Sequence, residues 1–228
     1  MPKHLQRRGP AADACSMCLA VLFPPTCIGC DRLIAVHARL PLCTSCSADV
    51  LPLPSARAVV GDVTALHTYA GVLARAVSRL KDGGELVLAG PLGRMLATSS
   101  KLAEPWDLVL PVPAHARRVL LRGVDHSAML ARWMVSALPA RTRPILGVGL
   151  LSRTRLSPRQ STLPRDARLH NVAGAFTCPH PALVQRRRVL VVDDVTTTGA
   201  TMQACLAALR LADCAHVEGL ALLRTLDE

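Results

Sequence analysis

The clearest pattern of apolar and polar positions lies near the end of the chain. Four contiguous apolar residues, Val189 to Val192, are followed by two acids, a run of small hydroxyl residues and a longer apolar stretch. A short unbroken apolar run that ends in turn residues predicts a strand buried on both faces. The pattern therefore predicts a strand over Arg188 to Val192, a turn, a helix from about Gly199 to Leu211 and a strand over Val217 to Leu223. A second run, Asp107-Leu108-Val109-Leu110-Pro111-Val112-Pro113, is stopped by prolines and reads as another buried parallel strand. Residues 57 to 69 read as strand material and Val72 to Leu80 as a helix. Lys81-Asp82-Gly83-Gly84 then breaks the pattern before a second helix from Glu85 to about Thr98. Residues 125 to 138 read as helical, Ile145 to Leu151 as strand-like, and 152 to 175 as an Arg-rich irregular stretch. Strands alternating with helices predict an α/β fold, a mainly parallel sheet flanked by helices.

The chain has 228 residues, half of them hydrophobic and 19% charged, which excludes a disordered chain and fits one domain with a small appendage. Its aromatic residues are Phe23, Phe176, Tyr69, Trp106 and Trp133, so the core must be filled by Leu, Val and Ala. A surface for single-stranded nucleic acid has correspondingly few stacking platforms. The start of the chain, Met1 to Arg8, reads as the beginning of a disordered basic tail covering 1–13. The proline-punctuated stretch Leu51-Pro52-Leu53-Pro54-Ser55 reads as a hinge between a segment 14–54 and a domain 55–228. The longest uncharged apolar run, Ala14 to Cys30, is broken by Pro24-Pro25 and carries four cysteines. It reads neither as a membrane span nor as a signal peptide, and a cytoplasmic protein with reduced thiols is expected.

The formal net charge of +11 is concentrated in one place. Between residues 112 and 188, fourteen arginines stand against Asp125 and Asp166, a local balance of +12, while the rest of the chain is close to neutral. A concentrated positive field attracts polyanions, either nucleic acid or a polyphosphorylated small molecule, and is equally what a solvated basic face looks like.

Six of the nine cysteines form three C-x-x-C pairs, Cys15/Cys18, Cys27/Cys30 and Cys43/Cys46. Two residues between thiolates let one tight turn aim both sulfurs at one cation, and two such turns supply the tetrahedral sulfur set that Zn²⁺ favours. Cys27, Cys30, Cys43 and Cys46 are the predicted ligands of a structural zinc, which would supply much of the stability of so small a segment. A redox dithiol needs a single pair beside a βαβ pattern, and neither condition holds. Six thiolates overfill one site and underfill two; nothing beyond their presence singles out His4 or His37 as the missing ligands, so Cys15 and Cys18 have no assigned role. Cys178, Cys205 and Cys214 are scattered, and the latter two lie in apolar stretches, so they read as small buried hydrophobes.

The most informative chemistry is in Val189-Leu190-Val191-Val192-Asp193-Asp194-Val195-Thr196-Thr197-Thr198-Gly199-Ala200-Thr201. The carboxyl end of a buried strand is where open α/β sheets bind ligands. N–H groups at a helix start point outward unpaired, Thr hydroxyls add donors, and Gly199 lets the backbone close around an anion. The guest expected is a phosphate. The chain has no G-x-G-x-x-G and no Gly-Lys-Ser/Thr, which excludes the dinucleotide fingerprint and the Walker loop. Two carboxylates beside a phosphate nest would repel it unless they serve ribose hydroxyls or a Mg²⁺ shell.

These thirteen residues resemble the phosphoribosyl pyrophosphate (PRPP) motif of type I phosphoribosyltransferases, and the chain from about Cys27 to Leu223 is similar to the ComF family, a zinc ribbon followed by such a domain. Tyr69 with Leu80-Lys81-Asp82-Gly83 resembles the family's Tyr and Lys-x-x-Gly segment. Pro111-Val112-Pro113 with Arg117, Arg118, Arg122 and Gly123 resembles its next element. Leu151-Ser152-Arg153-Thr154-Arg155, Gln160, Leu163, Arg168, Asn171 and Gly174-Ala175-Phe176 resemble the series after that. One departure stands out: where the family usually reads Arg-Gly-Phe-Asn-Gln, this chain has Arg122-Gly123-Val124-Asp125-His126 and loses an aromatic and an amide on the substrate side.

The resemblance implies a PRPP site with Mg²⁺ and a structural Zn²⁺. Asp193 and Asp194 would hold the ribose hydroxyls, and Thr196, Thr197, Thr198, Gly199, Ala200 and Thr201 the 5′-phosphate. Lys81, catalytic with the two acids, would lie with Gly83 near a pyrophosphate loop, and Arg117, Arg118 and Arg122 would clamp the pyrophosphate. Three functions follow. The first is an enzyme that transfers phosphoribosyl to an acceptor. The second is a non-catalytic protein handling single-stranded DNA with PRPP as regulator or relic, alongside other competence or DNA-uptake proteins. The third is a zinc-stabilised scaffold.

Overall fold

The computed structural model describes residues 24–35, 41–51, 53, 58–114, 123–153 and 175–226. The chain divides into two compact units between Asp49 and Val50. In the first, Thr26 and Leu33 form an antiparallel bridge around the turn that carries Cys27 and Cys30. The Cys27 N–H donates to the Arg32 carbonyl at 2.8 Å, and the Asp31 N–H to the Cys27 carbonyl at 2.8 Å. The Ile28 N–H donates to the Pro41 carbonyl at 3.0 Å, which brings the second cysteine pair alongside the first. A short helix α1, Thr44–Ala48, starts from Cys43, whose Sγ accepts the Cys46 N–H.

The second unit is built on a six-stranded sheet with strands β1 (Val59–Val60), β2 (Val63–Thr68), β3 (Leu108–Pro111), β4 (Ile145–Leu146), β7 (Arg188–Thr196) and β8 (His216–Arg224). Their order is β1-β2-β8-β7-β3-β4, with only β1 antiparallel. A separate antiparallel pair joins β5 (Ser152–Arg153) to β6 (Phe176–Thr177). The helices are α2 (Gly71–Lys81), α3 (Ala89–Leu96), α4 (His126–Ala137) and α5 (Ala200–Leu211). This is the predicted mainly parallel sheet flanked by helices.

The uninterrupted apolar run in β7 is explained by burial on both sides. Val189 and Val191 share a core cluster with Met202, Cys205, Leu206 and Leu209 of α5, and with Phe176 of β6. Leu190 and Val192, pointing the other way, are equally buried. On that opposite side α4 packs on β3, β4 and β7, and α3 packs on α4 and β8. The side chains of this core are almost all Leu, Val, Met and Ala. Cys205 is fully buried, while Cys214, expected to be buried, is half-buried at the margin of the cluster, as is Cys178.

The amino end of the sheet is closed by polar contacts around Trp106. Its indole N–H donates to the Lys101 carbonyl at 2.8 Å, and its ring stacks on His216 with centroids 5.5 Å apart. The Arg188 guanidinium lies 5.4 Å above the same ring. Glu218 accepts from His216 at 3.0 Å and pairs with Lys101, and the Asp107 carboxylate accepts the Arg188 N–H at 2.8 Å.

Three expectations change. Strand β7 runs four residues beyond Val192, because β8 continues beside it and pairs Asp193 with Ala221 and Thr196 with Arg224. The acids therefore belong to the strand. The strand expected over Ile145 to Leu151 ends at Leu146, where the chain enters a turn with Gly149 at φ +86°. The helix expected from Glu85 is a 3₁₀ turn, Leu86–Leu88, followed by α3. Residues 154–174 lie outside the described residues; the first two residues of the expected irregular stretch form β5, which pairs with β6 just beyond its end. Among the described residues no helix is long and apolar enough to cross a membrane.

Leu206 lies at the centre of the α5 side, with none of its surface exposed. Leu206→Ala should destabilise the protein by about 2–5 kcal/mol, the range for deleting a buried leucine side chain. The check is the midpoint of urea unfolding.

Candidate functional site

Strands β3 and β7 are parallel neighbours, but their connections diverge. The chain leaves β3 through α4 to reach β4 on one side, and leaves β7 through α5 to reach β8 on the other. Such a switch point opens a crevice at the carboxyl ends of the two strands. A cavity of about 340 Å³ occupies that place. Its walls are the residues after β3 (Val112 to Ala114), the start of α4 (Val124 to Ser127), Lys81 of α2, Arg153 of β5 and the stretch Asp193 to Met202.

The stretch Thr197 to Gly199 turns the chain from β7 into α5. Gly199 occupies the N-cap position at φ +82°, a left-handed conformation in which an L side chain is strained. The first N–H groups of a helix have no intrahelical acceptor. Among the described residues the cap reaches one of them: Thr198 Oγ1 accepts the Ala200 N–H at 3.4 Å. The others, with the Thr hydroxyls, form a donor-lined cradle at the positive end of a 12-residue helix. Thr196, the last residue of β7, is buried and its carbonyl accepts the Thr225 N–H, but it too lines the cavity.

The two acids are held differently. Asp194 is 5% exposed and its Oδ1 lies 2.8 Å from Lys81 Nζ, at the last residue of α2. Asp193 Oδ1 accepts from Ser127 Oγ at 2.8 Å and from the Asp194 N–H at 2.9 Å. Burial first, and then the charge of Asp194, push the Asp193 carboxyl from 3.8 up to about 7, against those two hydrogen bonds and the Lys81 charge. Both acids line the cavity, and the bonds that hold them there run to their Oδ1 atoms.

Sequence reasoning brought Lys81 and the stretch Asp193 to Thr201 to one place, and the structure does so too. Gly83 does not line the cavity; its N–H donates to the Ser78 carbonyl as α2 ends. Arg117, Arg118 and Arg122 lie outside the described residues, as do Cys15, Cys18, His4 and His37. Among the lining residues given no role from the sequence are Ser127, Asp125 and Arg153. Ser127 carried no signal. Asp125 had one, an acid just before a helical stretch, and it caps α4 through the Ala128 N–H at 3.0 Å while its other oxygen accepts the Ala114 N–H at 3.4 Å. The aspartate that stands where the resembled family usually reads asparagine thus caps α4. Arg153 had its place in the L-x-R-x-R resemblance.

The four predicted metal ligands also converge. The sulfurs of Cys27, Cys30, Cys43 and Cys46 all lie within 4.8 Å of one another. Tetrahedral Zn–S bonds of about 2.3 Å place sulfurs about 3.8 Å apart, and Cys30 and Cys43 are separated by 3.7 Å. Backbone N–H groups of Gly29 and Cys46 point at the sulfurs of Cys27 and Cys43. Burial raises the Cys27 thiol, but hydrogen bonds from the Cys43, Gly29 and Cys30 backbone outweigh it and bring it from 9.0 to about 6. Burial, with the neighbouring sulfurs, pushes Cys46 up to about 12. Four thiolates so close cannot all ionise without a cation, so the donor set fits one soft, tetrahedral divalent metal.

No family model matches this chain. The DNA utilization protein YhgH of Salmonella typhi is 30% identical over 230 residues, covering 93% of this chain and 96% of that protein. The protein of the same name in Escherichia coli (strain K12) is 30% identical over 205 residues, covering 85% of this chain and 82% of its own length. Among solved structures, glutamine phosphoribosylpyrophosphate amidotransferase from B. subtilis, complexed with ADP and GMP, aligns with a TM-score of 0.39 and 26% identity. That alignment covers 58% of this chain, which spans a quarter of the length of the larger protein. With the likeness to the YhgH proteins running through both units, the chain belongs to the ComF-like family of the DNA utilization protein YhgH.

Proposed function

We propose that the cavity at the carboxyl ends of β3 and β7 binds PRPP together with Mg²⁺, as a phosphoribosyltransferase does, in a protein that serves DNA utilization. The observation that carries this reading is the adjacency of a helix-start anion cradle and two half-committed carboxylates in one crevice. The N–H and hydroxyl groups of Thr197 to Thr201, with the Thr196 side chain, take the 5′-phosphate. Asp193 and Asp194 accept the ribose hydroxyls through their Oδ2 atoms, while Ser127 and Lys81 hold their Oδ1 atoms in place.

Hard carboxylate oxygens beside a phosphate cradle fit Mg²⁺, which usually binds one or two carboxylates together with substrate phosphates. When bound, it neutralises charge on the pyrophosphate. With an acceptor present, the bond from ribose C1 to the pyrophosphate oxygen breaks and pyrophosphate leaves with the electron pair. The acceptor's nucleophilic atom bonds C1 and gives up its proton. Arg117, Arg118 and Arg122 are the proposed clamp on the leaving group. In the first unit, Cys27, Cys30, Cys43 and Cys46 hold Zn²⁺, which supplies stability rather than chemistry.

A second reading is favoured by the relatives themselves, which are DNA utilization proteins. In it the same PRPP pocket is regulatory, and the arginines between 112 and 188 track a single DNA strand.

PRPP with Mg²⁺ should raise the melting temperature by mass action, about 2.7 kcal/mol of stabilisation at a hundredfold excess over Kd. The double variant Asp193→Asn/Asp194→Asn should abolish that rise, and an unshifted wild type would remove the ligand assignment. The pH dependence has two opposite signs. The Asp193 carboxyl lies above its unfolded value of 3.8, so its contribution to stability is present below about pH 4 and is lost as pH rises through about 7. PRPP affinity needs the ionised form and should rise over that window; Asp193→Asn should flatten both trends. Treatment with a strong chelator should release about one zinc per chain and unfold the first unit, as metal binding and folding are linked there; metal analysis with circular dichroism checks it. For the DNA reading, affinity for an oligo-dT strand should fall steeply with salt, and salt-independent binding would reject it.

A further inference from the structure

We infer that the outer face of α3 and α4 is a docking surface for single-stranded DNA, on which the Trp133 indole stacks one base while Arg94 and Arg132 hold the flanking phosphates. The inference rests on the DNA reading above and not on the PRPP reading. Trp133 is 44% exposed, the one exposed Phe, Tyr or Trp side chain among the described residues. Two glycines of α3 hold it in place. A Cβ at Gly90 would stand 3.5 Å from Trp133 Cε2 and 3.6 Å from its Cδ2, and one at Gly93 would stand 2.6 Å from Trp133 Cβ, closer than side chains pack. With no side chain at either position, Trp133 lies directly on the α3 backbone while close to half of its surface stays open to solvent. It is therefore a braced platform.

The charge of this face has one sign, because neither α3 nor α4 contains an acidic residue. Arg94 Nη1 also stands 3.5 Å from a Gly90 Cβ, so its guanidinium and the indole border the same glycine. Arg132, exposed, is the residue before Trp133. Among the described residues no ion pair or hydrogen bond engages the side chain of Arg94 or Arg132. One turn beyond Trp133, the Arg143 guanidinium donates to the Ser136 carbonyl at 3.1 Å and to the Leu138 carbonyl at 2.9 Å, which fixes a third positive charge at the end of α4. A solvated, salt-bridged helix face alternates its signs. Unbalanced cations around an exposed ring instead suit a single strand, whose phosphates follow the cations and whose bases all offer a face to stack. A second copy of this chain would set like charges against each other. Trp133 is no wall of the cavity and stands six residues after Ser127, about 9 Å along the helix axis, which leaves the cavity open to its own ligand.

The test is titration of the zinc-loaded full chain at low salt with oligo-dT, with an abasic strand of the same length and with poly-L-glutamate, followed by tryptophan fluorescence and by anisotropy of the labelled strands. Trp106, the other tryptophan, is 7% exposed and packed between His216 and Arg188, so quenching by a stacked base reports Trp133. Oligo-dT should quench and the abasic strand should not. Trp133→Leu should weaken oligo-dT at least about fivefold, the lower end for losing one stacked base, and leave the abasic strand within about twofold. Trp133→Phe, which keeps a ring, should fall between, and it carries the test if the Leu variant does not fold. Arg94→Gln with Arg132→Gln should make the log–log salt dependence shallower by about 1.4, the release expected for two phosphates of a single strand. Absence of quenching by oligo-dT, or equal loss for both strands in Trp133→Leu, overturns the inference. The same fluorescence change with poly-L-glutamate assigns the face to an acidic polypeptide and overturns it too. A wild type that binds neither strand overturns the DNA reading as well, whereas wild-type binding with unchanged variants overturns this inference alone.

Discussion

Two adjacent carboxylates at the end of a buried strand repel each other, and much of the second unit is arranged around that fact. Asp194 is neutralised by Lys81 from the end of α2, and Asp193 is held by Ser127 from the first turn of α4. Each partner arrives on a helix with one buried face. The packing of those helices and the chemistry of the crevice are therefore one problem. Removing Lys81 would leave like charges unbalanced in a poorly solvated place, at greater cost than losing an exposed ion pair, and removing Ser127 would take a hydrogen bond from the Asp193 carboxyl. The pair is kept close to neutral by Lys81 on one acid and by a carboxyl that titrates near neutrality on the other.

Local features were legible in the sequence. The cradle could be read because strand, acids, hydroxyl residues and Gly199 are contiguous, and each has a local physical reason to be there. The four cysteines could be read because C-x-x-C is itself a geometry. The parallel strands were legible because burial on both faces leaves an unbroken apolar run. What escaped depended on distant pairing. Nothing near Val192 said that β8 would carry β7 on to Thr196, because that extension is set by the partner strand. Ser127 looked like any serine on a helix until the sheet order brought it to a residue 66 positions away. Gly83 failed to reach the cavity for the opposite reason, since a local rule, helix termination, accounts for it completely.

The two units solve stability in different ways. The second buries Leu, Val and Ala over both faces of a sheet, with one phenylalanine, Phe176, in its α5-side core. Among the described residues of the first, the buried hydrophobic side chains are Cys27, Ile28 and Leu42, and their order centres on four sulfurs. A segment of that size cannot rely on apolar burial alone.

The closed amino end of the sheet gives the molecule a polarity of stiffness. Trp106, held between His216 and Arg188 and tied to Lys101, fastens the starts of β3, β7 and β8 to one another. Any rearrangement that accompanies a guest must then be taken up by the loops at the far rim, as fingers move on a fixed palm. Variation in those loops can retune what is gripped without disturbing the register of the strands beneath.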